Sequence, residues 1–425
     1  MGLGLLGRGV GDARFLAAHG AEIIVTDLKS EEELAASVAQ LREFPNVTLV
    51  LGEHRLEDFK DRDFVLKAAG VPRDSVYIQE ALKNGIPVKM SASWFMELSD
   101  LPVVGVTGTR GKSTVTHMIH AILTEAGWPT LLGGNVRGVS TLSLLDEAGG
   151  ERIALFELDS WQLQGFGEAK LSPDVAVFTT FMDDHLNYYH GDRDAYLADK
   201  ANIFLNQEPV DTLVLGSQCA ELVQDKYGDS IVAHTVVAGA HDFRSDWELK
   251  VFGEHNRYNA ALAMEAARAL EITDDVIERA LANFAGVPGR LELVREVEGV
   301  SFYNDTTATT PDATSAAVEA LRENKKPIVL IMGGADKGLA MESLLADVKQ
   351  HVKHVSLLEG TGTDQIKDQL PTASVFNSLK DAFKDACSHA EAGDAVLLSP
   401  GLASFGMFLN EYDRGDQFTA LVRAL

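Results

Sequence analysis

The feature that most constrains the fold of this chain is a glycine-rich turn between a predicted strand and a predicted helix. The turn lies within residues 105–114, Gly-Val-Thr-Gly-Thr-Arg-Gly-Lys-Ser-Thr, after the apolar segment 101–104, and apolar residues with helical spacing follow it. Backbone N–H groups of such a turn, with a helix dipole behind them, bind phosphate, while a lysine and a hydroxyl add a charge and a Mg²⁺ ligand. We therefore predict that ATP phosphates bind to Gly108, Thr109, Arg110, Gly111, Lys112, Ser113 and Thr114.

The spacing of this turn departs from the strict pattern G-x-x-x-x-G-K-S/T at one position. Val106 stands where that pattern has its first glycine, and the glycines here are Gly105, Gly108 and Gly111. The alternative interpretation is a structural turn that Lys-Ser follows by chance. The strand–turn–helix context favours phosphate binding.

Predicted strands and helices alternate along nearly the whole chain, which is typical of the α/β class. A length of 425 residues exceeds one ordinary core, so several domains are expected. We predict a Rossmann-like N-terminal domain over 1–98 with a truncated first strand, a central P-loop ATPase-type domain over 99–287, and a Rossmann-like C-terminal domain over 288–425.

The net charge and the cysteine content limit the classes of partner and metal site that this chain can have. A net charge of −26 argues against nucleic acids and anionic membranes, because no broad basic surface attracts their phosphates. Two cysteines, Cys219 and Cys387, are too few for a disulfide framework or a four-ligand zinc site, and they favour a cytoplasmic location. An anionic ligand would have to be held by local devices such as helix N-termini, a few lysines and arginines, and metal ions.

Two further groups follow predicted strands of the central region. Glu157 ends the strand Ile153–Glu157, and His185 closes Asp-Asp-His after the strand Asp174–Phe178. Open α/β sheets build their sites at the carboxyl ends of strands, so these side chains could hold the Mg²⁺ that accompanies ATP. The alternative is a set of surface acids and a turn histidine.

Lys200 falls on the apolar face of a predicted helix, beside Tyr196, Leu197 and Ala201. Its side chain either extends along that face to water, or is desolvated, with a lowered pKa that lets it react as a neutral amine. The residues alone leave both interpretations open.

Residues 2–7, Gly-Leu-Gly-Leu-Leu-Gly, match G-x-G-x-x-G, and Asp27 follows twenty residues after Gly7. This pattern is the dinucleotide fingerprint, and taken alone it would predict NAD binding. The strand that normally precedes the first glycine is not part of this sequence, so a structural turn in a Rossmann-like domain is the alternative.

The motifs of the central region resemble those of the Mur ligases. The family's G-T-x-G-K-S/T-T loop resembles residues 108–114, and its E-x-S-S-F-Q-L segment is similar to Glu157–Leu163. Its D-H-x-D/N motif resembles Asp184–Asn187, and Lys200 follows at the family spacing.

The resemblance continues towards the C-terminus and covers almost the whole chain. The family's G-x-H-N-x-x-N motif resembles Gly253–Asn259, its arginine at the start of the last domain corresponds to Arg290, and its N-D-S/T motif is similar to Asn304–Thr306. The resemblance implies that Asn256 and Asn259 contact adenine or ribose, and that Arg290 and Asp305 contact ATP from the third domain.

The resemblance also implies a catalytic set of Lys112, Glu157, His185 and Lys200. Lys112 would contact the β- and γ-phosphates, and Ser113 and Glu157 would hold one Mg²⁺. Lys200 would be carbamylated and would hold a second metal together with His185.

The implied substrates of such a ligase are small molecules. The N-terminal domain would bind UDP instead of NAD, and the nucleotide sugar would contact Gly4, Leu5, Leu6, Gly7, Asp27 and Asn135. The members that add D-glutamate use residues that match Thr309, Lys337, Ser404 and Phe405. Two positions depart from the family pattern, because Thr307 replaces a lysine and Asp159 replaces a serine.

The resemblance thus implies an ATP-dependent ligase of peptidoglycan precursor synthesis. It would activate the carboxylate of UDP-N-acetylmuramoyl-L-alanine as an acyl phosphate and join it to D-glutamate, and we expect it to work as a monomer. Alternatives are a sister ligase with another amino-acid acceptor or a folate substrate, an NAD-dependent dehydrogenase, and a non-catalytic Mur-like protein.

Overall fold

The computed structural model describes residues 1–5, 7–185 and 188–425, and it confirms the α/β class. The strands, from β1 to β16, are Ile23–Asp27, Val47–Leu51, Val65–Leu66, Val88–Lys89, Val103–Thr107, Thr130–Gly134, Ile153–Glu157, Val175–Phe178, Thr212–Gly216, His234–Ala238, Glu292–Val297, Val300–Asn304, Ile328–Gly333, Val352–Leu358, Ser374–Phe376 and Ala395–Leu398. The helices, from α1 to α15, are Arg8–Ala18, Ala35–Ala39, Val76–Lys83, Ser91–Leu98, Lys112–Glu125, Ser160–Ala169, Arg193–Ala201, Ser217–Tyr227, Glu254–Ala269, Asp274–Asn283, Pro311–Glu323, Glu342–His351, Thr361–Ile366, Leu379–His389 and Glu411–Arg423. Short 3₁₀ helices lie at Leu56–Phe59, Leu142–Glu147, Gly228–Ser230, Ala240–Asp242 and Lys367–Gln369.

These elements form two compact units. The first contains Met1–Trp247 and Tyr258–Leu281, and the second contains Glu248–Arg257 and Ala282–Leu425. The first unit holds the predicted N-terminal domain and most of the predicted central domain, so the division into three domains stays a prediction. Within the described part of the chain, no helix is both long and apolar enough to cross a membrane.

The first unit is organised around a six-stranded parallel sheet with the order β10-β9-β8-β5-β7-β6. Every residue of β5, β7 and β8 is buried, as expected for parallel strands covered on both faces. In the register of the sheet, Val106 of β5 lies beside Glu157 of β7 and Val177 of β8. The carboxyl ends of these three strands therefore meet at one edge, where α5 begins.

Four shorter strands of the first unit form two separate parallel pairs, β1 with β2 and β3 with β4. The first two residues of the chain form hydrogen bonds with one strand of each pair. Gly2 N donates to Thr26 O and Met1 N donates to Leu66 O, each at 2.9 Å. The glycine-rich turn that follows them leads directly into α1.

The second unit contains a six-stranded sheet with the order β11-β12-β16-β13-β14-β15. Strand β11 forms an antiparallel hairpin with β12, and the other pairs are parallel. Side chains of β13 alternate between two apolar clusters, with Leu330 and Met332 in one and Val329 and Ile331 in the other. Helices thus cover both faces, and polar residues collect at the carboxyl edge.

Candidate active site

The glycine-rich turn after β5 adopts backbone angles that favour glycine. Gly108 has a φ of 141° and Gly111 has a φ of 86°. A Cβ atom at Gly108 would lie 2.0 Å from Thr179 Oγ1, and one at Gly111 would lie 2.5 Å from Asn259 Oδ1. Val106 needs no such freedom because it still belongs to the buried strand, which explains the departure from the strict spacing.

Hydrogen bonds fix this turn to the end of the neighbouring strand β8. Thr109 N donates to Thr180 O at 2.7 Å, and Arg110 N donates to Thr180 Oγ1 at 2.9 Å. Thr179 Oγ1 donates back to Arg110 O at 2.5 Å. The turn is therefore held in place before any phosphate arrives, which lowers the entropic cost of binding one.

Two lysines converge on this turn. Lys112 Nζ donates to Gly108 O at 3.0 Å, and Lys200 Nζ donates to the same oxygen at 2.8 Å. Lys200 lies on α7, where its side chain is 1% exposed and its ammonium is 4.9 Å from the centre of the Tyr196 ring. Burial and the charge of Lys112 lower the pKa of Lys200 well below its usual value. Lys200 is therefore a desolvated amine and does not extend to water.

His185 lies beside the same turn, under aromatic side chains. Its ring centre is 4.7 Å from that of Trp161 and 6.1 Å from that of Tyr196. Burial lowers the pKa of His185, so the neutral imidazole is favoured at neutral pH. Asp184 accepts a hydrogen bond from Arg110 Nη1 at 3.0 Å, which connects the Asp-His segment to the turn.

Glu157 ends β7 and is buried, with its carboxylate connected to α1 through two side chains. Asn135 N donates to Glu157 O at 2.6 Å, and Asn135 Nδ2 donates to Glu157 Oε1 at 3.3 Å. The Arg8 guanidinium, at the start of α1, donates to Asn135 Oδ1. Sequence reasoning missed Arg8, although its place directly after the last glycine of G-x-G-x-x-G was a usable signal.

A cavity of about 870 Å³ in the first unit brings several predicted residues together. Its lining includes the predicted site residues Gly4, Leu5, Lys112, Asn135 and His185. The glycine turn is closed by Asp27, whose carboxylate accepts hydrogen bonds from Gly4 N at 3.0 Å and Lys29 N at 2.9 Å. The predicted residue Leu6, and Asn187 of the D-H-x-D/N motif, lie outside the described residues.

The carboxyl edge of the second unit's sheet holds another group of predicted residues. Asp305, which follows β12, accepts from Ser399 Oγ at 2.7 Å and from Leu291 N at 3.0 Å. Burial raises the pKa of Asp305 to about 7. Arg290 lies at the exposed start of this unit's hairpin. Asn256 belongs to the second unit, where its Nδ2 donates to Phe252 O at 2.6 Å, whereas Asn259 belongs to the first.

The residues predicted for the amino-acid acceptor also meet at this edge. Lys337 Nζ donates to Thr309 Oγ1 at 2.9 Å. Ala335 and Ala403 exchange two backbone hydrogen bonds of 2.9 and 3.0 Å, which bring the lysine's loop beside the loop of Ser404. Ser404 is buried, whereas the neighbouring Phe405 is 69% exposed.

Comparisons with known proteins identify the family of this chain. A family model described as Mur ligase middle domain matches residues 106–245, one described as Mur ligase, glutamate ligase domain matches 289–402, and one described as Mur ligase MurD-like, N-terminal domain matches 1–90. The UDP-N-acetylmuramoylalanine--D-glutamate ligase of Roseiflexus sp. (strain RS-1) is 39% identical over 460 residues, with 100% of this chain and 97% of that protein covered. The chain belongs to the Mur ligase family.

Other Mur ligases extend the comparison. Proteins of the same name from Borreliella burgdorferi (strain ZS7) and Streptococcus uberis (strain ATCC BAA-854 / 0140J) are 36% and 33% identical. The matches cover 100% and 98% of this chain and 97% and 94% of those proteins. Among solved structures, the UDP-N-acetylmuramate-alanine ligase MurC of Thermotoga maritima shares the fold with a TM-score of 0.64 at 18% identity, with 100% of this chain and 98% of that chain covered.

One buried residue of this Mur ligase was missed by sequence reasoning. Arg414 of α15 is fully buried, and its guanidinium donates to Thr306 O at 2.8 Å, to Thr306 Oγ1 at 3.1 Å and to Leu402 O at 3.5 Å. It therefore connects the N-D-T segment, residues 304–306, with the loop after β16. Arginine is so often exposed that its position in the sequence gave no signal.

Proposed function

We propose that this Mur ligase joins D-glutamate to UDP-N-acetylmuramoyl-L-alanine, with hydrolysis of ATP, in the synthesis of a peptidoglycan precursor. The observation that carries the proposal is the match, over essentially the full length, to several D-glutamate ligases. The contact of Lys337 with Thr309 supports it, because it joins two residues predicted for the acceptor, and the lysine's charge suits an acidic amino acid.

The reaction has two steps with balanced bonds. An oxygen of the substrate carboxylate first bonds to the γ-phosphorus of ATP, and ADP leaves with the bridging oxygen. The amine of D-glutamate then attacks the acyl carbon, phosphate leaves, and the nitrogen loses a proton. Lys112 and the N–H groups at the start of α5 would neutralise the phosphate charge that repels the incoming carboxylate.

Divalent metal binding fits the donors present at this edge of the first sheet. We propose that Ser113 and Glu157 hold one Mg²⁺, since a hydroxyl and a buried carboxylate are oxygen donors of the kind that Mg²⁺ prefers. Such an ion would withdraw charge from the phosphate oxygens. We further propose that His185 and a carbamylated Lys200 hold a second metal.

Carbamylation of Lys200 explains why a lysine lies buried beside another cation. The neutral amine attacks the carbon of CO₂, a proton leaves the nitrogen, and the resulting carbamate carries an anionic oxygen. The lowered pKa of Lys200 increases the fraction of neutral amine. The product would exchange a destabilised cation near Lys112 for an anion that Lys112 attracts.

The nucleotide sugar is proposed to bind in the cavity of the first unit. Its diphosphate would face the turn 4–7 and the start of α1, the uridine would lie near Asp27, and the sugar would contact Asn135. A volume of about 870 Å³ suits a ligand of that size. We propose that the enzyme is cytoplasmic and acts as a single chain, as expected from the sequence.

The proposed acceptor site uses the second unit. D-Glutamate would contact Thr309, Lys337, Ser404 and Phe405, and Arg290 and Asp305 would contact ATP, with Asn256 and Asn259 near the adenosine. A sister ligase with another acceptor remains the second candidate, because Thr307 and Asp159 depart from the family pattern.

The deciding experiment measures phosphate release from ATP with UDP-N-acetylmuramoyl-L-alanine and one amino acid at a time. We expect D-glutamate to stimulate release, and L-glutamate, L-lysine and glycine to have little effect. Stimulation by one of the other amino acids alone would establish the sister ligase. A lack of nicotinamide binding would dispose of the dehydrogenase suggested by residues 2–7.

A further inference from the structure

A cluster of two histidines and one aspartate lies in the second unit, away from the proposed acceptor site. His354 is near the start of β14, and Asp385 and His389 are one turn apart on α14. The acceptor residues follow the carboxyl ends of the parallel strands, whereas His354 lies towards the amino end of its strand. The cluster therefore has no part in the proposed reaction.

The three side chains present metal-binding donors close together. One ligand atom from each of His354, Asp385 and His389 lies within 4.8 Å of the other two. The imidazole rings are stacked, with centres 3.6 Å apart and planes 8° from parallel. Two imidazoles and one carboxylate suit Zn²⁺ and similar first-row cations much better than Mg²⁺.

Hydrogen bonds already orient these donors. Asp385 Oδ2 accepts from His354 Nε2 at 2.8 Å and from Ser356 Oγ at 2.7 Å, while Asp385 Oδ1 lies 3.8 Å from His389 Nδ1, beyond hydrogen-bond distance. His389 Nδ1 lies 2.9 Å from Asp385 O. Because a carbonyl only accepts, Nδ1 carries the proton and Nε2 keeps its lone pair, which is the usual arrangement of a metal-binding histidine.

The surroundings also favour a cation. His389 is the last residue of α14, where the negative end of the helix dipole stabilises positive charge. Donor atoms at about 2.0–2.2 Å from one metal are roughly 3–3.5 Å from each other. The ligand atoms of the cluster, which lie within 4.8 Å of one another, must therefore approach by about 1 Å. Rotation of His389, which is exposed, can bring the donors together and would separate the stacked rings.

We propose that His354, Asp385 and His389 form a binding site for a transition-metal dication, with Zn²⁺ as the representative ion. The cation binds His354 at Nε2 in place of the hydrogen bond to Asp385, and the imidazole proton moves by way of solvent from Nε2 to Nδ1. Solvent completes the coordination. Bound metal ties α14 to β14 and stabilises the folded second unit.

The test is a titration of the full chain with Zn²⁺ at saturating Mg²⁺, which occupies the oxygen-rich sites. We expect the wild type to bind one more equivalent of Zn²⁺ than His389→Ala and His354→Gln. His351→Ala, which removes a histidine at the end of α12 outside the cluster, should bind as the wild type does. Equal stoichiometry in the wild type and His389→Ala would overturn the proposal.

A thermal unfolding experiment gives a second measure. At about a hundredfold excess over its dissociation constant, Zn²⁺ should raise the Tm of the wild type by roughly 5–10 °C and leave that of His389→Ala unchanged. Similar Tm values without metal establish that the variants fold. If His354→Gln fails to fold, the result for His389→Ala decides the test. A Zn²⁺-induced rise of equal size in both proteins would contradict the site.

Discussion

Lys112 of α5 and Lys200 of α7 both donate a hydrogen bond to the same backbone oxygen, Gly108 O. Two ammonium groups on one carbonyl repel each other, and burial makes this repulsion stronger for Lys200. A neutral or carbamylated Lys200 removes the repulsion. This relationship is the strongest structural reason to treat Lys200 as a reactive group.

Replacement of Lys200 should therefore abolish turnover without unfolding the chain. We expect Lys200→Ala to lower kcat by on the order of 10²–10³-fold, a loss typical of a key charge-stabilising group. Wild-type activity should fall in CO₂-free buffer and return with bicarbonate, because the carbamate must re-form. Lys226→Ala, which replaces an exposed lysine of α8, serves as the control. A wild type whose activity does not depend on bicarbonate would exclude the carbamate.

Arg8 provides a test of where the nucleotide sugar binds. Because Arg8 lines the cavity and bonds to Asn135, Arg8→Ala should raise the KM for the nucleotide sugar by about 10-fold or more, which corresponds to the loss of one charged hydrogen bond. The KM for ATP should stay near the wild-type value. Arg14→Ala is a matched control on the same helix, since Arg14 faces Glu43. Equal effects of the two substitutions would show that Arg8 has only a general electrostatic role.

The contact between Lys337 and Thr309 predicts a selective effect on the acceptor. Lys337→Ala should raise the KM for D-glutamate by roughly 10–100-fold, since it removes a charged hydrogen-bond donor, and Thr309→Val should have a smaller effect. Initial-rate kinetics with each substrate varied in turn would measure both. A rise confined to the KM for ATP would instead assign Lys337 to the nucleotide.

The raised pKa of Asp305 predicts that the free energy of unfolding depends on pH. Its pKa is about 7 in the folded chain and close to 3.8 when unfolded, so between these values the folded state binds more protons. The contribution of Asp305 to the free energy of unfolding therefore falls as pH rises from about 4 to 7. Asp305→Asn should gain stability relative to the wild type across that range, as measured by urea unfolding, and a constant difference would contradict this assignment.

The buried hydrogen bonds of Arg414 lead us to expect that it stabilises the folded second unit. Arg414→Met should lower the free energy of unfolding by about 2–3 kcal/mol, because it leaves Thr306 O without its buried donor. Arg423→Met, at the end of the same helix but exposed, should be nearly neutral. Chemical denaturation of both variants measures the difference.

The local pattern of apolar and polar residues was sufficient to predict much of the fold. The buried strand Ile153–Glu157 has the predicted bounds, because a short apolar run defines a fully buried strand. Strands β6 and β10 were not predicted. They form the two edges of the first sheet, and β10 is only partly buried, so its sequence carries a weaker hydrophobic signal.

The sequence predicted on which elements Lys112 and Lys200 lie, but not which atoms they contact. The positions of Lys112 and Lys200 followed from a motif and from an apolar helix face. Their meeting at Gly108 O depends on how α7 packs against the sheet, which no local pattern encodes. Arg414 was missed for the same reason, since burial and tertiary partners give it its role, whereas Arg8 had a local signal in its place after Gly7.

The backbone pairing of Ala335 with Ala403 has a consequence for how the proposed acceptor site can change. The hydrogen bonds of this pairing run between peptide groups, so side chains at 337 and 404 can be exchanged without loss of these two bonds. Evolution can therefore retune which amino acid is accepted while the spacing of the loops stays constant. The same property makes these two positions the natural starting point for redesigning acceptor choice.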